Sequence, residues 1–293
     1  MARRTANELL DRHGIDKYPV QPDWLAAQEE VEVVEQSGFP IHCFGAFSLE
    51  GGKPRIFVSD ACPSRGLRRF TLGHELGHAL IDGHTERLVW TGAFALSEGH
   101  FRGSKDPVEV EADHFASELL LPTRWAKPFV EAATPGVASI RNLAQQFDTS
   151  LPCAAVRFTN LSPEPVIIVL SNGLSIEWVT RSEPFEGVPW IRLRGVKGEW
   201  APPGCATRHL ADRREDIVAG AERTGMSYLC EWFPGAPKDL LVDEEAVGLG
   251  TYGRVLTVLY CPEIPDADEL YEQDSMENSP QDWRDALRGY HLG

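Results

Sequence analysis

The sequence predicts an α+β fold in which a mostly helical domain with a small β-sheet is followed by a smaller, strand-rich domain. Three observations predict it. Helical periodicity dominates before about residue 160, short strand patterns dominate after it, and a length of 293 residues suggests two domains. Hydrophobic residues make up 42% of the chain and charged residues 25%, as in soluble globular proteins.

The first predicted elements are two short helices and three strands. A helix is expected over residues 6–13, and a second that starts after Pro22, with Asp23 as its cap, and runs to about Glu30. The segment "VEVVEQ" predicts a strand, and "CFGAFSLEGGKPRIFVS" predicts a hairpin that turns at Gly51 and Gly52. These strands form the small sheet of the first domain.

The middle of the first domain is predicted to contain a long helix and an irregular stretch. Pro63 and Ser64 open the helix, which carries "TLGHELGHAL" and stops near Gly83. Residues 84–105 show no clean period. We expect a loop there, with a short strand near residues 88–94.

A second long helix and three shorter ones complete this part. In "DPVEVEADHFASELLLP", Asp106 caps the helix, Pro107 takes its first position and Pro122 ends it. The segments "RWAKPFVEAA" and "ASIRNLAQQFDTSLPCAAVRFTN" predict the shorter helices. The last two are joined by "DTS", which is the helix-turn-helix arrangement, over residues 136–160. DNA reading needs positive side chains early in the second helix, and only Arg157 follows, so packing under the first domain is favoured.

After residue 161 the pattern changes to strands. The segment "PVIIVLSNGLSIEWV" predicts a hairpin on an Asn-Gly turn, and "DLLVDEEAV" and "GRVLTVLYC" predict further strands. The intervening "GLGTYG" is a turn, since no clear helix follows it as in a phosphate loop. The predicted boundaries are 1–135 for the first domain, 136–160 for the helix-turn-helix, 161–264 for the strand-rich domain and 265–293 for an acidic tail with a short terminal helix.

The candidate site begins with two histidines on the first long helix. His74 and His78 lie four residues apart around Glu75, in a chain with only nine histidines. Positions i and i+4 share a helix face, so both side chains can point at one metal ion, and Glu75 lies close enough to reach its water. Gly73 and Gly77 each cost about 1 kcal/mol relative to alanine inside a helix. They indicate the close approach of another backbone or of a ligand.

The second long helix offers the third metal ligand that a catalytic zinc requires. Glu109 and Asp113 share one face of it, and Ala112 and Ala116 are small enough to let another helix approach. We expect Glu109 to bind the metal and Asp113 to orient a ligand histidine, with Glu111 as the alternative third ligand. The competing interpretation of Glu109 is local, because a glutamate three residues after a cap often forms a capping box.

These two helices resemble those of the ImmA/IrrE family of metallopeptidases. The resemblance rests on "RRFTLGHELGHALI" and "EVEADHFASELLLP", in which the matching residues are Arg69, Phe70, Thr71, His74, Glu75, Gly77 and His78, and then Glu109, Asp113, Phe115, Ala116, Leu119, Leu120 and Pro122. It implies a zincin-like peptidase domain in which His74, His78 and Glu109 hold the metal and Glu75 is catalytic. Zinc is the expected metal and manganese the alternative.

The resemblance covers about residues 30–160. Beyond residue 161 it is architectural only, and implies a GAF-like sensory domain of the kind that the radiation-response members carry. It also implies a function, which is limited cleavage of an intracellular helix-turn-helix repressor and hence derepression of stress-response or mobile-element genes. The alternative is a non-proteolytic regulator or antitoxin-like binding protein that keeps the fold. The presence of Glu75 favours the enzyme, because a structural metal site needs no general base.

Charge and composition limit the partners. A net charge of −16 argues against a broad nucleic-acid surface and favours a basic protein partner. The longest aliphatic run, "VIIVL", is too short to span a bilayer, and the first residues lack the apolar segment of a secretory signal. Six cysteines without a C-x-x-C pair fit reduced thiols, so the expected location is the cytoplasm. For an oxyanion donor, His84, His100 and His114 are available, and none has a diagnostic spacing.

Overall fold

A computed structural model of the chain describes residues 1–40, 43–91, 95–98, 106–186, 188 and 197–264. The α+β fold is confirmed. The first half contains, in chain order, α1 (Ala2–Arg12), α2 (Pro22–Gln28), β1 (Glu32–Gln36), β2 (Cys43–Glu50), β3 (Lys53–Ser59), α3 (Arg65–Leu80), α4 (His84–Thr91), β4 (Ala95–Glu98) and α5 (Pro107–Leu120).

The second half begins with helices and ends with strands. It contains α6 (Thr123–Glu131), α7 (Val137–Phe147), α8 (Leu151–Leu161), β5 (Val166–Asn172), β6 (Ser175–Arg181), α9 (Ala206–Ala211), α10 (Arg214–Val218), β7 (Glu222–Tyr228), α11 (Leu229–Trp232), β8 (Leu241–Gly248) and β9 (Arg254–Tyr260). Among the described residues, none of these helices combines the length and the apolar character needed to cross a bilayer. The predicted tail over residues 265–293, with its terminal helix, lies outside the described residues.

The strands form two separate sheets. The first has the order β1-β3-β2-β4, with β1 and β3 parallel and the other pairs antiparallel. Its predicted hairpin is confirmed: Glu50 pairs with Lys53, and Gly51 and Gly52 have φ values of 60° and 80°. A two-residue turn of this kind needs positive φ at both positions, which glycine supplies without strain. The second sheet has the order β6-β5-β9-β8-β7 and is antiparallel throughout.

Three local predictions were wrong. The first helix begins at Ala2, four residues before the predicted start. Asp23 does not cap α2, because Pro22 is already its first residue, and the Asp23 carboxylate instead pairs with Arg68 at 3.0 Å. The strand expected near residues 88–94 is not found in the described part of that stretch: helix α4 extends through Thr91, residues 92–94 lie outside the described residues, and β4 follows at Ala95–Glu98, where it pairs with β2. The strand of this region therefore begins after the predicted stretch.

Two hydrophobic clusters lie on either side of α5. One joins α1, α2 and the first sheet to α3, and includes Leu72, Leu76 and Phe115. The other joins α5 to α6, α7 and α8 and continues into the second sheet through residues such as Ile168 and Val258. The helix that carries the predicted third ligand is therefore supported on both sides by apolar packing.

Helices α3 and α5 lie very close together. A Cβ built on Gly77 would lie 3.1 Å from Cδ1 of Phe115 and 3.3 Å from Cα of Ala112, and one built on Gly73 would lie 3.4 Å from Cβ of Ala116. The glycines of one helix thus face the alanines of the other, which confirms the close helix approach expected from their small side chains. This contact brings the candidate ligands of the two helices together.

Candidate metal centre

Helix α3 presents His74, Glu75 and His78 from its second half. Ser64 fixes the start of the helix, because its side chain accepts a hydrogen bond from the backbone N–H of Leu67 at 3.2 Å. The three site residues are enclosed, with exposures of 1%, 0% and 0%. Buried polar side chains need partners, so what surrounds them indicates their role.

Helix α5 brings a third donor to the two histidines. Oε2 of Glu109 lies 3.2 Å from Nε2 of His74, and Oε1 lies 3.4 Å from Nε2 of His78. The two Nε2 atoms are 3.0 Å apart. One donor atom from each of the three residues lies within 4.8 Å of the others. These three residues, called the donor group below, can hold a metal ion.

The donor group fits a zinc ion in chemistry and in spacing. Two imidazole nitrogens and one carboxylate oxygen are the protein ligands of many catalytic zinc sites, which keep a fourth position open. Tetrahedral bonds of about 2.0–2.1 Å separate the ligand atoms by roughly 3.3–3.4 Å. The two Nε2 atoms are 3.0 Å apart, and each lies 3.2 or 3.4 Å from a different carboxylate oxygen of Glu109, which is close to that range. Manganese accepts the same donor types, so the donor group by itself does not name the metal.

The environment sets opposite pKa shifts for the two histidines. Burial acts to lower the pKa of His74, but hydrogen bonds to Asp113 and Glu109 outweigh it and raise the pKa to about 10. For His78, burial outweighs the hydrogen bond to Glu109 and lowers the pKa to about 4. Burial acts to raise the pKa of Glu109, and the two histidines overcome it, so that this pKa is lowered. Glu109 is thus an ionised carboxylate, and metal binding by His74 would release a proton.

Asp113 lies where a residue that orients His74 is expected. Its Oδ1 is 2.8 Å from Nδ1 of His74, so the opposite ring nitrogen, Nε2, faces Glu109. A carboxylate that accepts from the second nitrogen of a ligand histidine fixes the ring's tautomer and orientation. The geometry is therefore consistent with the predicted roles of Glu109 and Asp113 on one face of α5.

Glu75 lies between α3 and strand β2. A Cβ built on Gly45 of β2 would lie 2.8 Å from Oε1 of Glu75 and 2.4 Å from Cγ2 of Thr71. The strand backbone thus passes directly over the carboxylate, and only glycine leaves room for it. The charge of Glu75 also acts to raise the pKa of His74, as expected of a carboxylate near the donor group. A carboxylate in this position can act as a general base.

The other candidate residues lie outside the donor group. Oε2 of Glu111 lies 3.0 Å from Nε2 of His84, and the metal-binding group found among the described residues does not include it. His84 is 1% exposed, and its Nδ1 lies 3.3 Å from Nδ1 of His78. No spacing in the sequence marks His84 as a neighbour of His78. His114 is exposed on α5, and His100 lies outside the described residues.

The second helix of the helix-turn-helix is enclosed by the rest of the protein. Helices α7 and α8 form as predicted, and most of α8 is buried. Arg157 donates from Nε to the carbonyl oxygen of Leu121 at 2.9 Å and pairs with Glu118 at 2.5 Å, with both charged side chains only 1% exposed. The positive charge that a DNA-reading helix would offer is therefore inside the protein. This arrangement supports the packing interpretation of α8.

Comparisons with known proteins found a matching family and a solved structure of similar fold. Residues 32–159 match the peptidase family M78, described as the IrrE N-terminal-like domain. The solved structure of a Mycobacterium tuberculosis transcriptional regulator has a similar fold, with a TM-score of 0.55 and 14% sequence identity over 89% of this chain and 75% of that chain. No curated protein shows a significant sequence match. The matched segment contains α3 and α5, and the family resemblance drawn from their motifs is confirmed.

Proposed function

We propose that this chain, whose residues 32–159 belong to the IrrE N-terminal-like peptidase family, is a zinc-dependent endopeptidase that makes limited cuts in an intracellular helix-turn-helix repressor. The observation that supports this best is the donor group of His74, His78 and Glu109 beside the buried carboxylate of Glu75. A site that only stabilised the fold would usually supply four protein ligands and would not need a carboxylate that can act as a general base. The enzyme is therefore favoured over a binding protein that keeps the fold.

In the proposed reaction some residues of the chain bind the metal ion and another transfers the proton. When bound, the metal ion supplies Lewis acidity that polarises the scissile carbonyl and lowers the pKa of water. His74, His78 and Glu109 would hold it, and Asp113 would keep His74 in the orientation that ligation requires. Glu75 accepts a proton from the attacking water as the C–O bond forms, and then donates it to the amide nitrogen as the C–N bond breaks. The products are a carboxylate and an amine.

The proposed substrate rests on family and charge. The structural neighbour is a transcriptional regulator, and cleavage of a repressor would connect this peptidase fold to the control of transcription. A net charge of −16 steers a basic DNA-binding protein towards this chain. Because α8 is enclosed, DNA contact is assigned to the substrate and not to this helix. We assign residues 161–264 to regulation or substrate holding, through the sheet that packs on α6, α7 and α8.

Co-expression with the repressor encoded beside this chain tests the proposal. Wild-type protein is expected to cleave the repressor, and Glu75→Gln to leave it intact while still binding one equivalent of zinc, since Glu75 is not a ligand. His74→Ala is expected to lose both cleavage and stoichiometric metal. Equal loss or equal survival of the repressor with wild type and Glu75→Gln would exclude proteolysis, and would leave the non-proteolytic regulator as the function.

A further inference from the structure

A second contact between histidines lies next to the donor group, between His78 and His84. His84, the first residue of α4, points its Nδ1 at Nδ1 of His78, 3.3 Å away. Its Nε2 lies 3.0 Å from Oε2 of Glu111. His84 is 1% exposed, whereas the Glu111 side chain is 39% exposed. The three side chains thus form a continuous line from the protein surface to a proposed metal ligand.

The backbone holds this line in place by a second contact. Gly83 has a φ of 84°, which turns the chain back after α3 at a conformation that glycine adopts without strain. The hydroxyl of Thr85 then donates to the carbonyl oxygen of His78 at 3.4 Å. Both the side chain of His84 and the residue after it therefore contact His78. The start of α4 is fixed against the residue that the proposed metal needs.

The tautomers follow from the direction of these contacts. If Nε2 of His78 binds a metal ion, its Nδ1 carries the proton and must donate it. Nδ1 of His84 is the nearby acceptor, so this nitrogen must be unprotonated and the proton of the neutral His84 ring must be on Nε2. That proton is donated to the carboxylate of Glu111. One consistent arrangement of protons thus satisfies every contact in the line.

We propose that His84 is a positioning residue that fixes the tautomer and orientation of His78 for metal binding, and that Glu111 fixes His84 in turn. This inference rests on the proposed metal site. His74 receives the same support directly from a carboxylate, Asp113, so the two ligand histidines are oriented by different means. Glu111, considered from the sequence as an alternative ligand, then affects the site indirectly, through its hydrogen bond with His84.

Zinc affinity of the purified full chain, measured by competition with a chromophoric chelator, tests the assignment. His84→Ala is expected to weaken zinc binding about 10- to 100-fold, and Glu111→Ala less strongly, because outer hydrogen bonds of ligand histidines contribute on this scale. His84→Asn keeps an acceptor oxygen near the position of Nδ1 and is expected to bind within about threefold of wild type. Glu111→Gln keeps an acceptor and is also expected to bind normally. Glu86→Ala, which removes an exposed carboxylate from α4, is the matched control.

The outcomes separate this inference from the proposed function. If wild type itself binds no zinc, the proposed function fails. If wild type binds zinc and His84→Ala binds it within about threefold, only the positioning role fails. Equal weakening in His84→Ala and His84→Asn would show that ring packing matters and not the acceptor, which also overturns the role. Two further measurements separate loss of this hydrogen bond from destabilisation of the whole protein. Loss of the hydrogen bond alters the visible spectrum of the cobalt-loaded variant and leaves the unfolding temperature of the metal-free variant unchanged. Destabilisation lowers the unfolding temperature.

Discussion

Replacing Gly77 by alanine tests whether the close contact between α3 and α5 sets the metal site. The new Cβ would lie 3.1 Å from Cδ1 of Phe115 and 3.3 Å from Cα of Ala112, closer than most carbon contacts in proteins. The phenyl ring can rotate, but the Ala112 backbone can yield only if α5 moves. Gly73→Ala is the matched control, because its Cβ would meet Ala116 at 3.4 Å and 3.5 Å, an ordinary van der Waals contact.

The magnitude follows from two opposing terms. Alanine stabilises a helix interior by about 1 kcal/mol relative to glycine, and both variants gain this. Overpacking costs about 1–3 kcal/mol, and only Gly77→Ala incurs it. We therefore expect Gly73→Ala to raise the free energy of unfolding by up to about 1 kcal/mol, and Gly77→Ala to leave it unchanged or to lower it by up to about 2 kcal/mol.

Metal affinity should separate the two variants more clearly than stability does. Glu109 lies three residues before Ala112 on α5, so a displacement of the helix at Ala112 moves the carboxylate away from the histidines of α3. Zinc binding is expected to weaken in Gly77→Ala and to remain unchanged in Gly73→Ala. Urea titrations of the metal-free proteins and chelator competition measure the two effects. Equal stabilisation of both variants with unchanged zinc affinity would refute the claim that this contact determines the spacing of the donor group.

Three further predictions concern single carboxylates. Glu109→Gln is expected to weaken zinc binding by more than the roughly 10- to 100-fold typical of an outer hydrogen bond, whereas Glu111→Gln leaves it nearly unchanged; equilibrium dialysis measures both, and the reverse order would move the third ligand to Glu111. Glu118→Gln is expected to cost about 3–5 kcal/mol at pH 7, because Arg157 remains buried without its counter-ion. Burial acts to raise the pKa of Glu118, but Arg157 and neighbouring hydrogen bonds lower it below 4.5. The extra free energy of unfolding of wild type over Glu118→Gln is therefore present above pH 4.5 and is lost as the pH falls through the pKa of the folded state. Urea titrations at several pH values measure this difference, and a difference that stayed constant would contradict the prediction. Glu245→Ala removes the carboxylate that accepts from the first backbone N–H of α7 at 2.6 Å and is expected to cost about 0.5–2 kcal/mol in thermal or urea unfolding, with no measurable loss as the contrary result.

The parts of the site that local spacing controls could be predicted from the sequence. His74 and His78 are four residues apart on a helix whose start is marked by Ser64, so their shared face follows from helix geometry alone. The small residues of both helices then indicate where α5 approaches α3. The spacing of the histidines and the small residues of the two helices indicate the same arrangement. The sequence therefore predicts both the shared face of His74 and His78 and the close packing of the helix that carries Glu109.

Features that depend on tertiary contacts could not be predicted. Gly83 reverses the chain before His84, and although glycine marks the end of the helix in the sequence, it does not indicate that His84 then contacts His78. An arginine such as Arg157 is usually exposed to solvent or in contact with DNA. Here it is buried, and Glu118, 39 residues earlier, supplies its counter-ion. Likewise, β4 forms where β2 presents a free edge. For Arg157 and β4 the deciding partner lies far along the chain, whereas for His84 it lies six residues away, across a turn.

The strand order of the second sheet determines when the chain can complete its fold during synthesis. Strand β9 is the last strand that the structure describes, yet it lies in the middle of the sheet, between β5 and β8. The β5–β6 and β7–β8 hairpins can each form as they leave the ribosome, but they are joined only when Arg254–Tyr260 emerges between them. Until then α7 and α8 lack the apolar partners Leu256 and Val258. A nascent chain therefore carries both helices of its candidate metal centre before the packing of the second sheet on α7 and α8 is finished.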